Sequence, residues 1–286
     1  MRIPFTKMHG LGNDFVIIDM VTNDISSSIL DAESIRKIAD RHFGVGCDQV
    51  LVLEPAKASD QDSDFFYRVF NADGSEAWQC GNGVRCLARF VKTHALSTKD
   101  QLVFATRNTK TKTILEKDGQ ITAITQGPIF EPKKIPLVAE AQSLRYNLQL
   151  ANGDAVEIGV VSVGNPHAII LVDDVDFAPV EILGPLIANS GYFPEKSNVS
   201  FMQVLDRQHI KLRVYERGSG ETLACGSGAS ASVIIGKLWG FLDSTVVVKL
   251  RGGDLVIKWS ELDNNIMITG QAKQVFIGEI ILRDKT

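Results

Sequence analysis

At 286 residues the chain is too long for one ordinary domain and suits two modest ones. Its 44% hydrophobic and 22% charged residues describe a globular protein with a real core, and a net charge of −4 with no basic run gives no case for nucleic acid. No apolar stretch reaches membrane-spanning length and MRIPFTKMHG lacks a signal-peptide core, so no membrane partner and a cytoplasmic setting are expected, with the four cysteines as reduced thiols.

The first half reads as strands at Ile3–Lys7, Phe15–Met20, Val50–Glu54 and Phe65–Phe70. A helix is predicted over Ala32–Arg41, capped by Asp31, with Ile35, Ile38 and Ala39 on one face. A second helix is predicted from about Asn82 to His94. A strand at Leu102–Ala105 follows, and then a hairpin about Asp118-Gly119, a type I′ signal. Gly127-Pro128, Pro132 and Pro136 mark a domain boundary. The expected division is residues 1–126 with 272–286 returning, against 127–271. The second half is predicted as strands at Arg145–Leu150, Val156–Val163 and Ala168–Val172, then a helix over Val180–Asn189. Strands at Asn198–Leu205 and Ile210–Tyr215, a helix stopped by Gly240, and closing strands through Val275–Leu282 complete it.

The two halves echo one another. FNADGSEAWQCGNGVRCLARF (Phe70–Phe90) aligns with YERGSGETLACGSGASASVII (Tyr215–Ile235), matching Glu76 with Glu221, Cys80 with Cys225, Gly81 with Gly226 and Gly83 with Gly228 at an offset of 145. GNDFVII at Gly12–Ile18 resembles GNPHAII at Gly164–Ile170, and Gln49 answers Asn198, in the same order. Three collinear echoes indicate a duplicated strand-rich unit. Each copy is expected to curl its sheet round one apolar helix, with small residues Ala229–Ser232 admitting close strands.

Each copy sets a cysteine just ahead of a glycine-rich helix start. Such an end carries unpaired N–H groups and partial positive charge, which stabilise a thiolate and can hold a carboxylate. If the copies pack about a pseudo-two-fold axis, Cys80 and Cys225 would face each other across a cleft and act on opposite faces of one α-carbon, one as base and one as acid.

These motifs resemble the diaminopimelate epimerases, which use no cofactor. The resemblance spans FTKMHGLGNDF (Phe5–Phe15), GVGCDQ (Gly44–Gln49), NADGSEAWQCGNGVRC (Asn71–Cys86), VGNPHAI (Val163–Ile169), SNV (Ser197–Val199) and YERGSGETLACGSGA (Tyr215–Ala229). It implies an α+β fold of two pseudo-symmetric lobes, each a mixed sheet round a central helix, with the site between them. It implies Cys80 and Cys225 as the acid/base pair, with His167 and Glu216 beside the thiols. Asn13, Gln49, Asn71, Asn165, Asn198 and Arg217, with Glu216, would hold the substrate's amino and carboxylate groups. Gly81-Asn82 and Gly226-Ser227 would supply helix-end amides. The partners implied are a small-molecule substrate, diaminopimelate, and a second copy of the chain. Phe276 stands where some relatives carry an interface tyrosine.

Plainer readings apply elsewhere. Cys86, inside the helix, reads as packing, and so does Cys47 in its loop. Gly226–Ala231 matches G-x-G-x-x-A, but no βαβ unit surrounds it. The cysteine and histidine spacings are not those of a zinc site, so no metal is expected. Two alternatives stay open: another two-thiol racemase of the proline or hydroxyproline type, and a thiol redox protein. The first would carry histidine after the first CG, and the second lacks C-x-x-C.

Overall fold

The computed structural model describes residues 1–57, 62–77 and 80–282. From the N-terminus run β1 (Arg2–Gly10), β2 (Asn13–Asp19), α1 (Ala32–Ala39), β3 (Gln49–Pro55), β4 (Phe65–Asn71), β5 (Glu76–Ala77), α2 (Gly81–Thr93), β6 (Gln101–Ala105), β7 (Lys110–Leu115) and β8 (Ile121–Thr125). There follow β9 (Tyr146–Gln149), β10 (Ala155–Ser162), β11 (Pro166–Leu171), α3 (Val180–Ala188), β12 (Asn198–Asp206), β13 (His209–Glu216) and β14 (Gly220–Thr222). The chain closes with α4 (Gly226–Leu238), β15 (Thr245–Leu250), β16 (Gly253–Trp259), β17 (Ile266–Gly270) and β18 (Lys273–Ile281). Two compact units emerge, Met1–Ala123 with Gly270–Thr286, and Ile124–Thr269.

In the N-terminal unit, β18, β1 and β2 are antiparallel neighbours, β3 runs parallel to β2, and β4 returns antiparallel to β3. β4 then pairs antiparallel with β5 and parallel with β6, which β7 joins antiparallel. The C-terminal unit repeats this scheme. β9, β10 and β11 are antiparallel, β12 is parallel to β11, and β13 returns beside β12. β14 and β15 flank β13 as β5 and β6 flank β4, before β16 and β17. The duplication read from three short echoes therefore extends to the pairing direction of every corresponding strand above. The fold is α+β.

Alternation along the strands divides each sheet's side chains between two helices. In the N-terminal unit Phe15, Ile17, Leu51 and Leu53 pack with Val84, Leu87 and Val91 of α2. The intervening Val16, Ile18, Val50 and Val52 pack instead with Ile35 and Ile38 of α1. Both faces of β2 and β3 are covered, which explains apolar runs as unbroken as FVII and VLVL. In the C-terminal unit Val199 and Phe201 meet Val180 and Ile187 of α3. The opposite face meets α4, where a Cβ on Gly228 would stand 3.1 Å from Val214 Cγ2 and 3.3 Å from Ser200 Oγ. That close approach is the reason for a glycine there.

A duplicated ion pair ties each short strand to its neighbour. Arg68 Nε and Nη2 donate to the Glu76 carboxylate at 2.9 and 3.0 Å, and Arg213 does the same to Glu221 at 2.7 and 2.8 Å. Both are bidentate forks, which fix orientation as well as charge. Each holds the strand that delivers the chain to a cysteine.

Two sequence expectations change. The first helix stops at Ala39 rather than Arg41, because the Asp40 carboxylate accepts the N–H groups of His42 and Phe43, both at 2.7 Å, and draws the backbone into a turn. The hairpin at Asp118-Gly119 is not type I′, which needs positive φ at both central residues. Only Gly119 has it (φ 82°), with its N–H on the Glu116 carbonyl, while the Asp118 carboxylate accepts Gln120 N–H. The loop is a three-residue turn ending in left-handed glycine.

Candidate active site

Cys80 and Cys225 occupy the same position in their units: each is the N-cap residue of a 13-residue helix, α2 or α4. Both have extended backbone, and each sulfur accepts the N–H three residues on, Gly83 at 3.4 Å and Gly228 at 3.3 Å. Thiol sulfur thus takes the place of the usual Ser, Thr or Asp oxygen at a helix start. The glycine-rich first turns place amides of Gly81-Asn82 and Gly226-Ser227 beside these sulfurs.

Round Cys80 the sheet ends supply amides. Asn13, opening β2, accepts at Oδ1 from Asn82 Nδ2 (3.2 Å) and from the Cys80 thiol (3.9 Å). Its Nδ2 donates to Asp48 Oδ2 at 3.0 Å. Gln49 is in register with Phe15 on one side and Asn71 on the other. Its Nε2 donates to Asn71 Oδ1 at 2.9 Å, and Asn71 Nδ2 donates to Ser75 Oγ at 3.0 Å. The structure therefore brings Asn13, Gln49, Asn71 and Asn82 to the end of the sheet from which α2 starts.

Round Cys225 the arrangement is different in charge. Ser227 Oγ lies 3.4 Å from the sulfur, and the Glu216 carboxylate at the end of β13 interacts with the same thiol. Burial, then the Glu216 charge, push the Cys225 thiol well above the ordinary thiol range. Burial and the Glu216 charge thus oppose the lowering expected from a helix start, and they outweigh the hydrogen bonds from Ser227 and the Gly228 N–H. Glu216 is itself held by Thr222 Oγ1, which donates to Oε1 at 2.5 Å.

His167 of β11 is fully buried and in parallel register with Asn198 of β12. Its Nε2 lies 3.1 Å from Asn165 Oδ1 and 3.5 Å from Asn198 Nδ2. Burial, with the nearby Arg217 charge, depresses it to about 3, so the ring is neutral at physiological pH. Asn198 Oδ1 accepts Arg217 N–H at 2.8 Å, and Arg217 Nη1 donates to the Glu195 carbonyl at 2.8 Å. Asn165, His167, Asn198 and Arg217 form one connected group, while Glu216 is the acidic residue gathered at Cys225. Cys86 and Cys47 are buried, and desolvation raises both to about 12, in keeping with packing roles.

Comparison with known proteins shows the family to which this chain belongs. The profile described as "Diaminopimelate epimerase" matches residues 5–130 and 159–275. A protein named diaminopimelate epimerase from Alkalilimnicola ehrlichii is 51% identical, covering 99% of this chain and all of the relative. Another so named, from Nitrosomonas eutropha, is 47% identical over 99% of this chain and its own full length. The chain belongs to the diaminopimelate epimerase family. Among solved structures, a Bacillus anthracis phenazine biosynthesis protein of the PhzF family superposes with TM-score 0.71 at 16% identity, covering 99% of this chain and all of that one. A hydroxyproline epimerase from Agrobacterium vitis gives 0.70 at 13% identity, with 99% and 93% covered. At such identities these two likenesses concern the fold alone.

Several supporting residues were not singled out from the sequence. Asp14 accepts from Lys7 Nζ at 2.5 Å and from Arg41 Nη2 at 2.8 Å, and Arg41 also reaches Asp48 Oδ1 at 2.8 Å. Hydrogen bonds and charge from Arg41 and Lys7 overcome burial and hold Asp14 at about 2. This network fixes Asp48, which takes the Asn13 amide. Asp48 lies within the GVGCDQ motif beside Gln49, and Lys7 and Asp14 lie within FTKMHGLGNDF; membership of those motifs was the available sequence signal. Thr222 likewise lies within the YERGSGETLACGSGA motif.

Proposed function

We propose that the chain interconverts LL- and meso-2,6-diaminopimelate without a cofactor, using Cys80 and Cys225 as its two acid/base groups. The observation that carries this reading is the repetition of one device: a cysteine cap on a glycine-opened helix, once in each unit, in a chain about half identical to relatives of that name. One sulfur, as thiolate, takes the α-proton. The electron pair left on the α-carbon delocalises into the adjacent carboxylate, which helix-end amides stabilise. The other sulfur, as thiol, gives its proton to the opposite face, and the product leaves with that centre inverted. The two sulfurs end with exchanged protonation, and solvent exchange resets them.

Asn13, Gln49, Asn71, Asn165, Asn198, Glu216 and Arg217 hold the remaining amino and carboxylate groups, with neutral His167 as a hydrogen-bonding neighbour. Such groups would be left unpaired by a shorter amino acid, and this is the source of selectivity. The activity would serve lysine and peptidoglycan precursor synthesis, in the cytoplasm. A homodimer is the proposed assembly, with the exposed Val275, Phe276 and Ile277 of β18 covered by a second copy. Light scattering on the purified protein decides that point: a monomer at micromolar concentration removes it.

The test of the activity is turnover of LL-diaminopimelate by freshly reduced protein, followed by chiral chromatography, with proline and trans-4-hydroxyproline as controls. Formation of the meso isomer alone is expected. Inversion of proline in its place would move the chain to the other two-thiol racemases.

A further inference from the structure

Arg85 lies on α2, five residues past Cys80, and is wholly buried. Its Nη2 donates to Asn82 Oδ1 at 2.7 Å and its Nη1 to the Gly81 carbonyl at 3.3 Å, while its Nε has no partner among the described residues. Both acceptors are neutral. No carboxylate among the described residues acts on this guanidinium; the ionisable groups that do are the thiols of Cys86 and Cys80. An enclosed cation without a counter-charge is strongly unfavourable, so the negative charge that the fold leaves room for is a thiolate. Cys86 is completely enclosed and burial opposes its ionisation, whereas Cys80 is partly exposed at a helix start.

Among the described residues the surroundings supply no other counter-charge. On β1, Gly10 lies against Arg85 and Asn82, and Lys7 is paired with Asp14 of β2. His9 of β1 takes the Gly12 N–H, and Asp19 of β2 takes those of Val21 and Thr22. Lys110 and Lys112 of β7, and Lys273 and Glu279 of β18, are exposed. Tyr67 of β4 is a further ionisable group coupled to Cys80, and burial disfavours its anion. At the position corresponding to Arg85 in the other unit stands Ser230, whose Oγ donates to the Gly226 carbonyl at 3.0 Å. A neutral hydroxyl there does the same carbonyl-binding task without charge.

We infer that Arg85 is a positioning residue for the reaction, a buried counter-cation that keeps Cys80 as the resting thiolate and, through Asn82, sets the Asn13 amide beside that sulfur. The resting enzyme then holds its base in the N-terminal unit and its acid, Cys225, in the C-terminal one. This rests on the reading of Cys80 as an acid/base group. Its readout, however, is thiol reactivity rather than turnover, so inactivity toward diaminopimelate and failure of the Arg85 role are separate results.

The experiment is alkylation of the full-length, reduced protein by iodoacetamide across pH 6–10, with Cys80 quantified by peptide mapping. An ordinary thiol is only a few per cent ionised at pH 7. Wild-type Cys80 is expected to react at pH 7 at about a quarter of its alkaline plateau rate, a ratio corresponding to displacement by about one pH unit. Arg85→Met is expected to cut that ratio roughly tenfold, with the Cys225 profile unchanged. Arg85→Gln, which keeps an amide toward Asn82 and drops the charge, should do the same if the Met variant does not fold. A wild-type ratio of only a few per cent overturns the inference without any variant. So does either folded variant with a wild-type Cys80 profile.

Discussion

The two units share strand order, pairing direction, helix caps and even the arginine–glutamate fork beside each cysteine, yet they surround the two sulfurs with opposite charge. Cys225 is fully enclosed and faces the Glu216 carboxylate, and both effects favour the protonated thiol. Cys80 is more open, its helix carries the buried Arg85 guanidinium, and its near neighbours are the amides of Asn13 and Asn82. Duplication supplied one device twice, and divergence of the neighbouring residues gave the two caps different surroundings, which under the proposed function would separate an acid from a base. An epimerase working through two sulfurs would use that division, because one sulfur must be ionised and the other protonated before substrate arrives.

The strongest way to probe the comparison is to remove each sulfur in turn. Serine is itself a good helix cap, so Cys80→Ser and Cys225→Ser should fold and lose turnover by about 10²-fold or more, measured with LL-diaminopimelate. Near-native activity in either variant would show that the two units do not contribute one group each. Glu216→Gln sharpens the contrast. Removing the carboxylate charge should lower the ionisation midpoint of Cys225 and raise its alkylation rate at pH 8 roughly tenfold, leaving Cys80 as it was. An unchanged Cys225 would mean that burial alone sets its protonation.

Smaller effects are expected from groups that support the sites without touching the sulfurs. Asp14, held at about 2 by Arg41 and Lys7, contributes stability that is complete above its unfolded value near 4 and is lost as pH falls through about 2. Asp14→Asn should cost about 2 kcal/mol at pH 7, read by urea denaturation, and the difference should vanish near pH 2. His167 runs over another window. Its folded value of about 3 lies below the ordinary 6.5, so stability is complete above about 6.5 and declines as pH falls toward 3. His167→Gln should flatten the fall in Tm between pH 7 and 4. Ser230→Ala removes one hydrogen bond and should cost about 1 kcal/mol of stability, leaving Cys225 alkylation unchanged, in contrast with substitution of Arg85.

What the sequence made legible was whatever is local. The glycine-rich run after each cysteine and the apolar run beyond it place the helix starts, and the offset of 145 between Cys80 and Cys225 reveals the duplication. Alternation in FVIID and VLVLE gives the strands. Less legible was anything decided by three-dimensional enclosure. A helix-start argument lowers both thiols equally, and only the burial of Cys225 with Glu216 at its side reverses the sign for one of them. Arg85 reads in the sequence as one more basic helix residue, since nothing in GNGVRC discloses that its side chain meets no acid among the described residues. The Asp118-Gly119 turn shows the same limit at short range, because an Asp-Gly pair fits either a two-residue or a three-residue loop and its flanking strands decide which forms.

The most direct test of the account is proton NMR of LL-diaminopimelate with the reduced wild-type protein in D2O, followed through the first few per cent of reaction. With separate base and acid, the abstracted proton stays on one sulfur while a solvent-derived deuteron is delivered from the other. The account therefore requires the first meso product to carry deuterium at the inverted centre while the remaining LL substrate is still protiated. Meso product that retains its original proton would mean that a single group removes and returns it, and the division of labour between Cys80 and Cys225 would be wrong.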